Sequence, residues 1–290
     1  MVPELAATTT EPVSTLDFAF HSVSGGCIHE SWCVESRYGR WFLKTNTADK
    51  ASMFGAEFAG LKALEEVGCI RVPRPIATGV TMDTAWLVME FIPLRAGTDP
   101  EYLEMGRRLA RLHRSVSPDL QHGWTQDNFI GATPQKNAPH SKWSHFFRDK
   151  RLAPQLDLHL SDFPNSVATL DAVEILLAGH TPEPSALHGD LWSGNAEFDE
   201  NGAPVLFDPA FYYGDRETDL AFTRMFGGFS AGFYRGYRSE YPLLPGHETR
   251  SDLYNLYHLL NHHHLFGEPY GHQARLVMTT LLRQADSLSS

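Results

Sequence analysis

Apolar residues recur at three- and four-residue intervals through Phe54, Phe58, Leu61 and Leu64, which predicts a helix over Ala51 to Val67. Before it, Trp32 to Val34 and Trp41 to Leu43 are short β-prone runs flanking the turn-like Arg37-Tyr38-Gly39. Arg71-Val72-Pro73-Arg74-Pro75 ends the helical pattern, and Thr84 to Met89 reads as a buried strand. The pattern changes after Phe91. Pro93 to Gly97 reads as a connector, and helical periodicity dominates beyond it, over roughly Pro100–Ser115, Lys142–Leu160, Asn165–Ala178, Ser251–Phe266 and His272–Ser287. One β island interrupts this part: Glu197-Phe198 and Val205-Leu206-Phe207 flank Asn201-Gly202, a strong hairpin turn. A sheet-rich first third and a helix-rich remainder predict an α+β, two-lobed protein. The expected division is a small β-rich N-terminal lobe at 1–92, carrying one helix, and a larger, mainly helical C-terminal lobe at 93–290. Residues 1–15 are expected to be loosely ordered.

Composition narrows the class. A net charge of −11 without any run of Lys and Arg argues against a nucleic-acid partner. The first residues carry neither a basic region nor an apolar one, and no stretch approaches a membrane span, so the expectation is a cytoplasmic protein with no membrane partner. Three cysteines, Cys27, Cys33 and Cys69, with no CxxC pair, disfavour a disulfide framework and a cysteine-rich zinc site. Oligomeric state is not legible; monomer and dimer stay equally open.

The most informative segment is Leu187-His188-Gly189-Asp190-Leu191-Trp192-Ser193-Gly194-Asn195, followed by Asp208 at the end of the hairpin. Phosphoryl transfer needs a carboxylate to orient the attacking hydroxyl and accept its proton, and oxygen ligands to hold Mg²⁺ across the phosphates. Asp190, Asn195 and Asp208 supply those groups, Asp190 as the base and the other two as metal ligands, at the spacing of a kinase catalytic loop. An isolated Asp-x4-Asn is more often a pair of turn residues; the His, the hairpin and the second Asp reverse that reading. Lys44 at the end of a β-prone run and Glu57 on the next helix match the pair that positions a lysine on the α- and β-phosphates of ATP. Gly25, Gly26 and Cys27 read as a phosphate-covering loop. Met89, Glu90, Phe91 and Ile92 read as the hinge whose backbone would meet the adenine edge. Walker A chemistry is absent from the sequence.

With these residues assembled, the chain resembles the fructosamine (ketosamine) kinase family, within the aminoglycoside-phosphotransferase-like group of the protein-kinase-like fold. The likeness rests on Leu187 to Asn195, on Phe207-Asp208-Pro209-Ala210, on Tyr213 to Ala221, and on Gly25-Gly26-Cys27-Ile28, Val72 to Pro75 and Met225 to Phe229. It spans about residues 18–285. It implies ATP- and Mg²⁺-dependent phosphorylation of the sugar C3 hydroxyl of ketosamines, free or protein-borne, in deglycation repair. It also suggests redox sensitivity at Cys27. Gly189 stands where protein kinases have the Arg that meets a phosphorylated activation loop, and Asp208-Pro209-Ala210 replaces Asp-Phe-Gly, so no phosphorylation-gated switch is expected. Trp192 would stack on a sugar face or fill the core. Asp215 would bind the substrate amine or anchor the loop, and anchoring is the preferred reading for Asp219. His258 and His262, at i and i+4, are read as polar residues of core or cleft rather than a metal pair. A kinase of another small metabolite, such as an aminoglycoside, a choline-like alcohol or a sugar, is the first alternative, and an inactive binding scaffold the second.

Overall fold

The computed structural model describes residues 18–23 and 29–289. Gly25, Gly26 and Cys27, expected to cover the phosphates, and the N-terminal fifteen residues lie outside that range. The first described part is an antiparallel five-stranded sheet in the order β1 (Ala19–Ser22), β2 (Glu30–Ser36), β3 (Gly39–Thr47), β5 (Thr84–Glu90), β4 (Pro75–Thr81). Strand alternation sorts β3 into two faces. Trp41 and Leu43 join Val34, Trp86 and Val88 in one cluster, while Phe42 packs on the side of helix α1 (Ala51–Val67) with Phe54, Leu61 and Leu64. Lys44 shares the Phe42 face and therefore looks toward α1. Gly68 caps α1 in the left-handed conformation, φ 68°, which a residue with a Cβ adopts only under strain.

The chain leaves β5 through a segment that is not merely a connector: β6 (Leu94–Arg95) pairs with β10 (Ala196–Asp199), which pairs with β11 (Pro204–Leu206). The predicted hairpin is present, and Asp199 Oδ1 closes its turn by accepting from the backbone N–H of Asn201 and Ala203, both at 2.9 Å. Helix α2 (Asp99–His113) opens with a capping box between Thr98 and Glu101. Two short pairs, β7 (Asn128–Ile130) with β8 (Thr133–Gln135), and β9 (Ser185–Leu187) with β12 (Tyr212–Gly214), brace the helical part.

The helix expected over Lys142–Leu160 is interrupted. It comprises α3 (Trp143–Phe147), a π-helical turn over Arg148–Leu152, and α4 (Ala153–Asp157). Pro154 has no N–H to donate to residue 150, so the α ladder cannot run through. The wide turn carries Arg151 fully inside, where it donates to Lys136 O and Asn137 Oδ1, both at 2.7 Å, and lies 4.0 Å from the Tyr212 ring centre. Helix α5 (Ser166–Leu176) was expected. The next two, α6 (Glu217–Met225) and α7 (Ala231–Glu240), were not. The last two are α8 (His247–Phe266), which starts four residues earlier than periodicity indicates, and α9 (Tyr270–Ser289). Trp143, Phe146 and Phe147 are core. No helix among the described residues is long and apolar enough to cross a membrane.

Candidate active site

Lys44, Glu57 and Asp208 meet although they are far apart in sequence. The Lys44 ammonium donates to Glu57 Oε1 at 2.7 Å and to Asp208 Oδ1 at 2.5 Å. The lysine is buried, 5% exposed. Burial works to lower its pKa, but the two carboxylates outweigh it and hold the group above its ordinary range. Burial pushes Glu57 upward; Lys44 opposes that shift and Asp208 adds to it. Asp208 itself has φ 57°, a left-handed backbone for a non-glycine residue, which orients its carboxylate across the cleft toward Lys44.

The second half of the site is the loop between β9 and β10. Asp190 is half-buried, and Asn195 forms part of a 3₁₀ turn over Ser193–Asn195. The Asn195 amide donates to the backbone carbonyl of Asp190 at 2.8 Å and approaches its carboxylate Oδ2 at 3.2 Å. Desolvation pushes Asp190 up to about 7, Asp208 adds to the rise, and the Asn195 hydrogen bond restrains it. An aspartate poised near neutrality has the acidity of an efficient general base at physiological pH.

Asp219 anchors this loop from beneath. Its Oδ2 accepts from the His188 backbone N–H at 2.8 Å, its Oδ1 from that of Gly189 at 2.9 Å, and His113 Nε2 lies 3.1 Å from Oδ2. His113 in turn contacts the Tyr237 hydroxyl at 2.8 Å. His188 Nε2 bonds the carbonyl of Phe207 at 3.0 Å, joining the loop to the residue before Asp208. Gly189 has φ 83°, and a Cβ there would stand 2.1 Å from the carbonyl oxygen of Ala210. The loop therefore requires glycine for backbone clearance, a constraint the sequence comparison with protein kinases did not suggest.

Trp192 is 38% exposed and does not fill the core; its ring meets Phe226 edge-on, centres 6.0 Å apart. Met89 and Ile92 are buried at the end of β5, Phe91 lies beneath the Arg40 guanidinium at 4.9 Å, and Glu90 is bound by Arg71 at 2.7 Å. Arg71 also pairs with Asp199, tying the end of β5 to the β10–β11 hairpin. His29 was not singled out from the sequence. It accepts from Asn46 at Nδ1 across 2.9 Å, and burial together with the Lys44 charge lowers its pKa to about 4. A neutral imidazole with its proton on Nε2 thus borders the Lys44–Asp208 pair. Only its place directly after the glycine-rich segment could have flagged it.

Asp215 is corrected as a candidate for the substrate amine. It is 1% exposed, and its carboxylate is occupied by His180 and the Tyr254 hydroxyl, each at 2.6 Å, and by the Glu217 N–H at 3.0 Å. It lines a separate cavity of about 410 Å³, bordered by Arg114, His180, Glu183 and Tyr241 and by none of Asp190, Trp192, Asn195 or Asp208. His258 stacks face to face on Phe222, ring centres 3.6 Å apart, and His262 Nδ1 donates to the His258 carbonyl at 2.8 Å. The two rings are thus packing and backbone-bonding groups, in keeping with the polar-residue reading.

Such a constellation defines a kinase-like phosphotransferase, and comparison with known proteins agrees. The fructosamine kinase family model matches residues 3–284. A Synechocystis protein named as a probable ketoamine kinase is 43% identical over 97% of this chain and 95% of its own length. The chloroplastic protein-ribulosamine 3-kinase of Oryza sativa is 38% identical over 94% of this chain and 82% of its own. A crystal structure from Haemophilus somnus that carries the name fructosamine-3-kinase superposes with a TM-score of 0.89 at 27% identity, covering 97% of this chain and 96% of that one. The chain belongs to the fructosamine kinase family. Its fold is the α+β, kinase-like arrangement of that family, a β-sheet N-terminal part followed by a helical part, and its activity is ATP-dependent phosphorylation of a hydroxyl group.

Proposed function

We propose that the protein phosphorylates the sugar C3 hydroxyl of ketosamines, of the fructosyl- or ribulosyl-amine type, with Mg-ATP as the phosphoryl donor, in deglycation repair. The observation that carries the mechanism is the convergence of two groups: Lys44–Glu57–Asp208 on one side and Asp190–Asn195 on the other. In this reading residues 1–92 form the nucleotide-binding lobe and residues 93–290 the lobe with the catalytic loop.

Asp190 accepts the proton of the attacking hydroxyl. The new bond forms between the sugar oxygen and the γ-phosphorus, the bond from that phosphorus to the bridging oxygen breaks, and ADP leaves. Lys44, held by Glu57, neutralises the α- and β-phosphates. The donor set fits Mg²⁺. Asp208 offers a carboxylate, and Asn195 gives its amide N–H to Asp190, which keeps the amide oxygen as the donor for a cation. When bound, the ion supplies charge neutralisation across the phosphates. The glycine-rich segment at Gly25, Gly26 and Cys27 would cover them, and the backbone of Met89 to Ile92 would meet adenine. Trp192, exposed and in edge contact with Phe226, would stack on the apolar face of the sugar.

The names of the relatives support the substrate class, and the exposed tryptophan beside the proposed base suits a sugar. The test is ADP release with fructosyl-, ribulosyl- and erythrulosyl-lysine beside free sugars and an aminoglycoside. Ketosamines should give kcat/KM at least tenfold above the others. Equal or better turnover of the aminoglycoside would transfer the assignment to another small-molecule kinase.

A further inference from the structure

We propose that His159, Asp162 and His263 form a site for a divalent transition metal of the zinc class, remote in sequence from the kinase residues. His159 and Asp162 lie between α4 and α5, and His263 lies in the last turn of α8. Asp162 Oδ2 is 3.4 Å from His159 Nδ1 and 3.2 Å from His263 Nε2, and one donor atom from each of the three residues falls within 4.8 Å of the others. Tetrahedral zinc with ligand bonds of about 2.0–2.1 Å has ligand–ligand edges of roughly 3.3 Å. The two edges measured here match that figure before any ion is placed.

The surroundings also have the form of a metal centre. His159 turns its other nitrogen, Nε2, to His264 Nδ1 at 3.0 Å. A metal-bound imidazole characteristically gives its remaining N–H to a hydrogen-bond acceptor, the part His264 Nδ1 would take here, which fixes the tautomer with the lone pair toward the ion. The side chains of His159, Asp162 and His263 are 26%, 43% and 10% exposed, so the cluster is open on one side for a water in the fourth position. Two nitrogens and one oxygen favour zinc, cobalt or nickel over Mg²⁺, which would choose the oxygen pair Asp208 and Asn195. Bound metal would clamp the segment between α4 and α5 to the end of α8.

The experiment uses the full chain without an affinity tag, stripped with chelator and free of nucleotide. Zinc chloride is titrated by calorimetry, cobalt chloride by visible absorption, and the melting temperature is followed with and without zinc. One zinc should bind per chain, the melting temperature should rise, and cobalt should give the intense visible bands of a tetrahedral centre. His263→Ala, His159→Ala and Asp162→Asn should each weaken zinc at least tenfold, while their metal-free melting temperatures stay close to wild type. Asp208→Asn should leave zinc binding intact. Absence of stoichiometric binding, or binding that survives in both histidine variants, or binding lost in Asp208→Asn, overturns the site and leaves the cluster an ordinary ion pair.

Discussion

At the scale of single residues, the proposed mechanism gives the two central acids separable roles. Asp190→Asn keeps the shape and removes the base. kcat should fall by about 10²–10⁴ while the Mg-ATP dissociation constant barely moves. Asp208→Asn removes a charge from the cation site and from Lys44, so it should weaken Mg-ATP binding as well as turnover, with partial rescue by added Mg²⁺. Calorimetry with steady-state kinetics distinguishes the two patterns, and near-normal kcat in Asp190→Asn would remove it from the base role. The raised pKa of Asp190 makes a second, independent prediction. An aspartate of ordinary value 3.8 that is held near 7 when folded binds a proton the unfolded chain has released. Its ionised form therefore costs stability progressively as pH rises from about 4 to about 7, and fully above that. Asp190→Asn should melt higher than wild type at pH 8, with the gain shrinking toward zero by pH 4. In wild type, kcat/KM should rise with pH through the same region, because the base must be ionised. A flat difference in melting temperature across pH would show that the carboxylate is not desolvated as described. These acids were legible in the sequence because their motif is local: Asp190, Asn195 and Asp208 span nineteen residues with a hairpin between. His113 and Asp219 close across 106 positions, and no local pattern announces such a pair. Asp215 was misread for the same reason, since only the folded chain brings His180 and Tyr254 to it.

At the scale of elements, the two helices that periodicity missed are those whose buried faces mix polar residues or glycines with apolar ones. In α6, Glu217, Thr218 and Asp219 are all buried, because Arg250 binds Glu217 at 2.7 and 3.0 Å and the catalytic loop takes Asp219. A polar residue at an inward position erases the hydrophobic stripe on which helix prediction depends. In α7 the inward residues include Gly232 and Gly236, poor helix formers whose use is contact. A Cβ on Gly236 would stand 2.0 Å from the Leu103 carbonyl, and one on Gly106 of α2 would stand 2.0 Å from that of Phe233. Backbone therefore touches backbone across the α2–α7 interface, which carries His113 and Tyr237 and, through them, Asp219. Gly106→Ala should force the helices apart, costing about 1–3 kcal/mol or more and lowering kcat together with the melting temperature. The control is a change at the neighbouring, half-buried position on α2, Arg107→Ala, which should do neither. An unchanged melting temperature in Gly106→Ala would mean that the interface yields more readily than its contacts indicate.

At the scale of the whole molecule, the sheet-rich and helical parts share an apolar cluster that runs from Phe54, Leu61 and Met89 to Leu109, Leu206 and Phe211, and polar ties link them in the proposed cleft. Lys44 comes from β3, Glu57 from α1 and Asp208 from beyond β11, so the Lys44–Asp208 pair joins the two parts at the site proposed for the phosphates. The Arg71 bridge between Glu90 and Asp199 is a second tie, half-exposed and so of modest energy. A ligand that contacts both sides must then stabilise them as one unit. Mg-ATP at a hundred times its dissociation constant contributes about 2.7 kcal/mol to the folded state, which for a chain of this size moves the melting temperature by several degrees. Lys44→Met should abolish that increment, because in the proposed mechanism the phosphates lose the lysine that neutralises them, and Glu57 and Asp208 are left facing each other without the cation. Its melting temperature without nucleotide should also fall, since removing one partner leaves buried carboxylate charge uncompensated. Arg71→Ala should behave differently. It lowers the nucleotide-free melting temperature slightly and keeps the full increment from Mg-ATP, since the nucleotide can bridge the parts by itself. Differential scanning fluorimetry of wild type, Lys44→Met and Arg71→Ala, each with and without Mg-ATP, reads all six states. If Lys44→Met retains the increment, the nucleotide does not reach the lysine. If Arg71→Ala loses it, the surface tie and not the ligand holds the two parts in the binding arrangement.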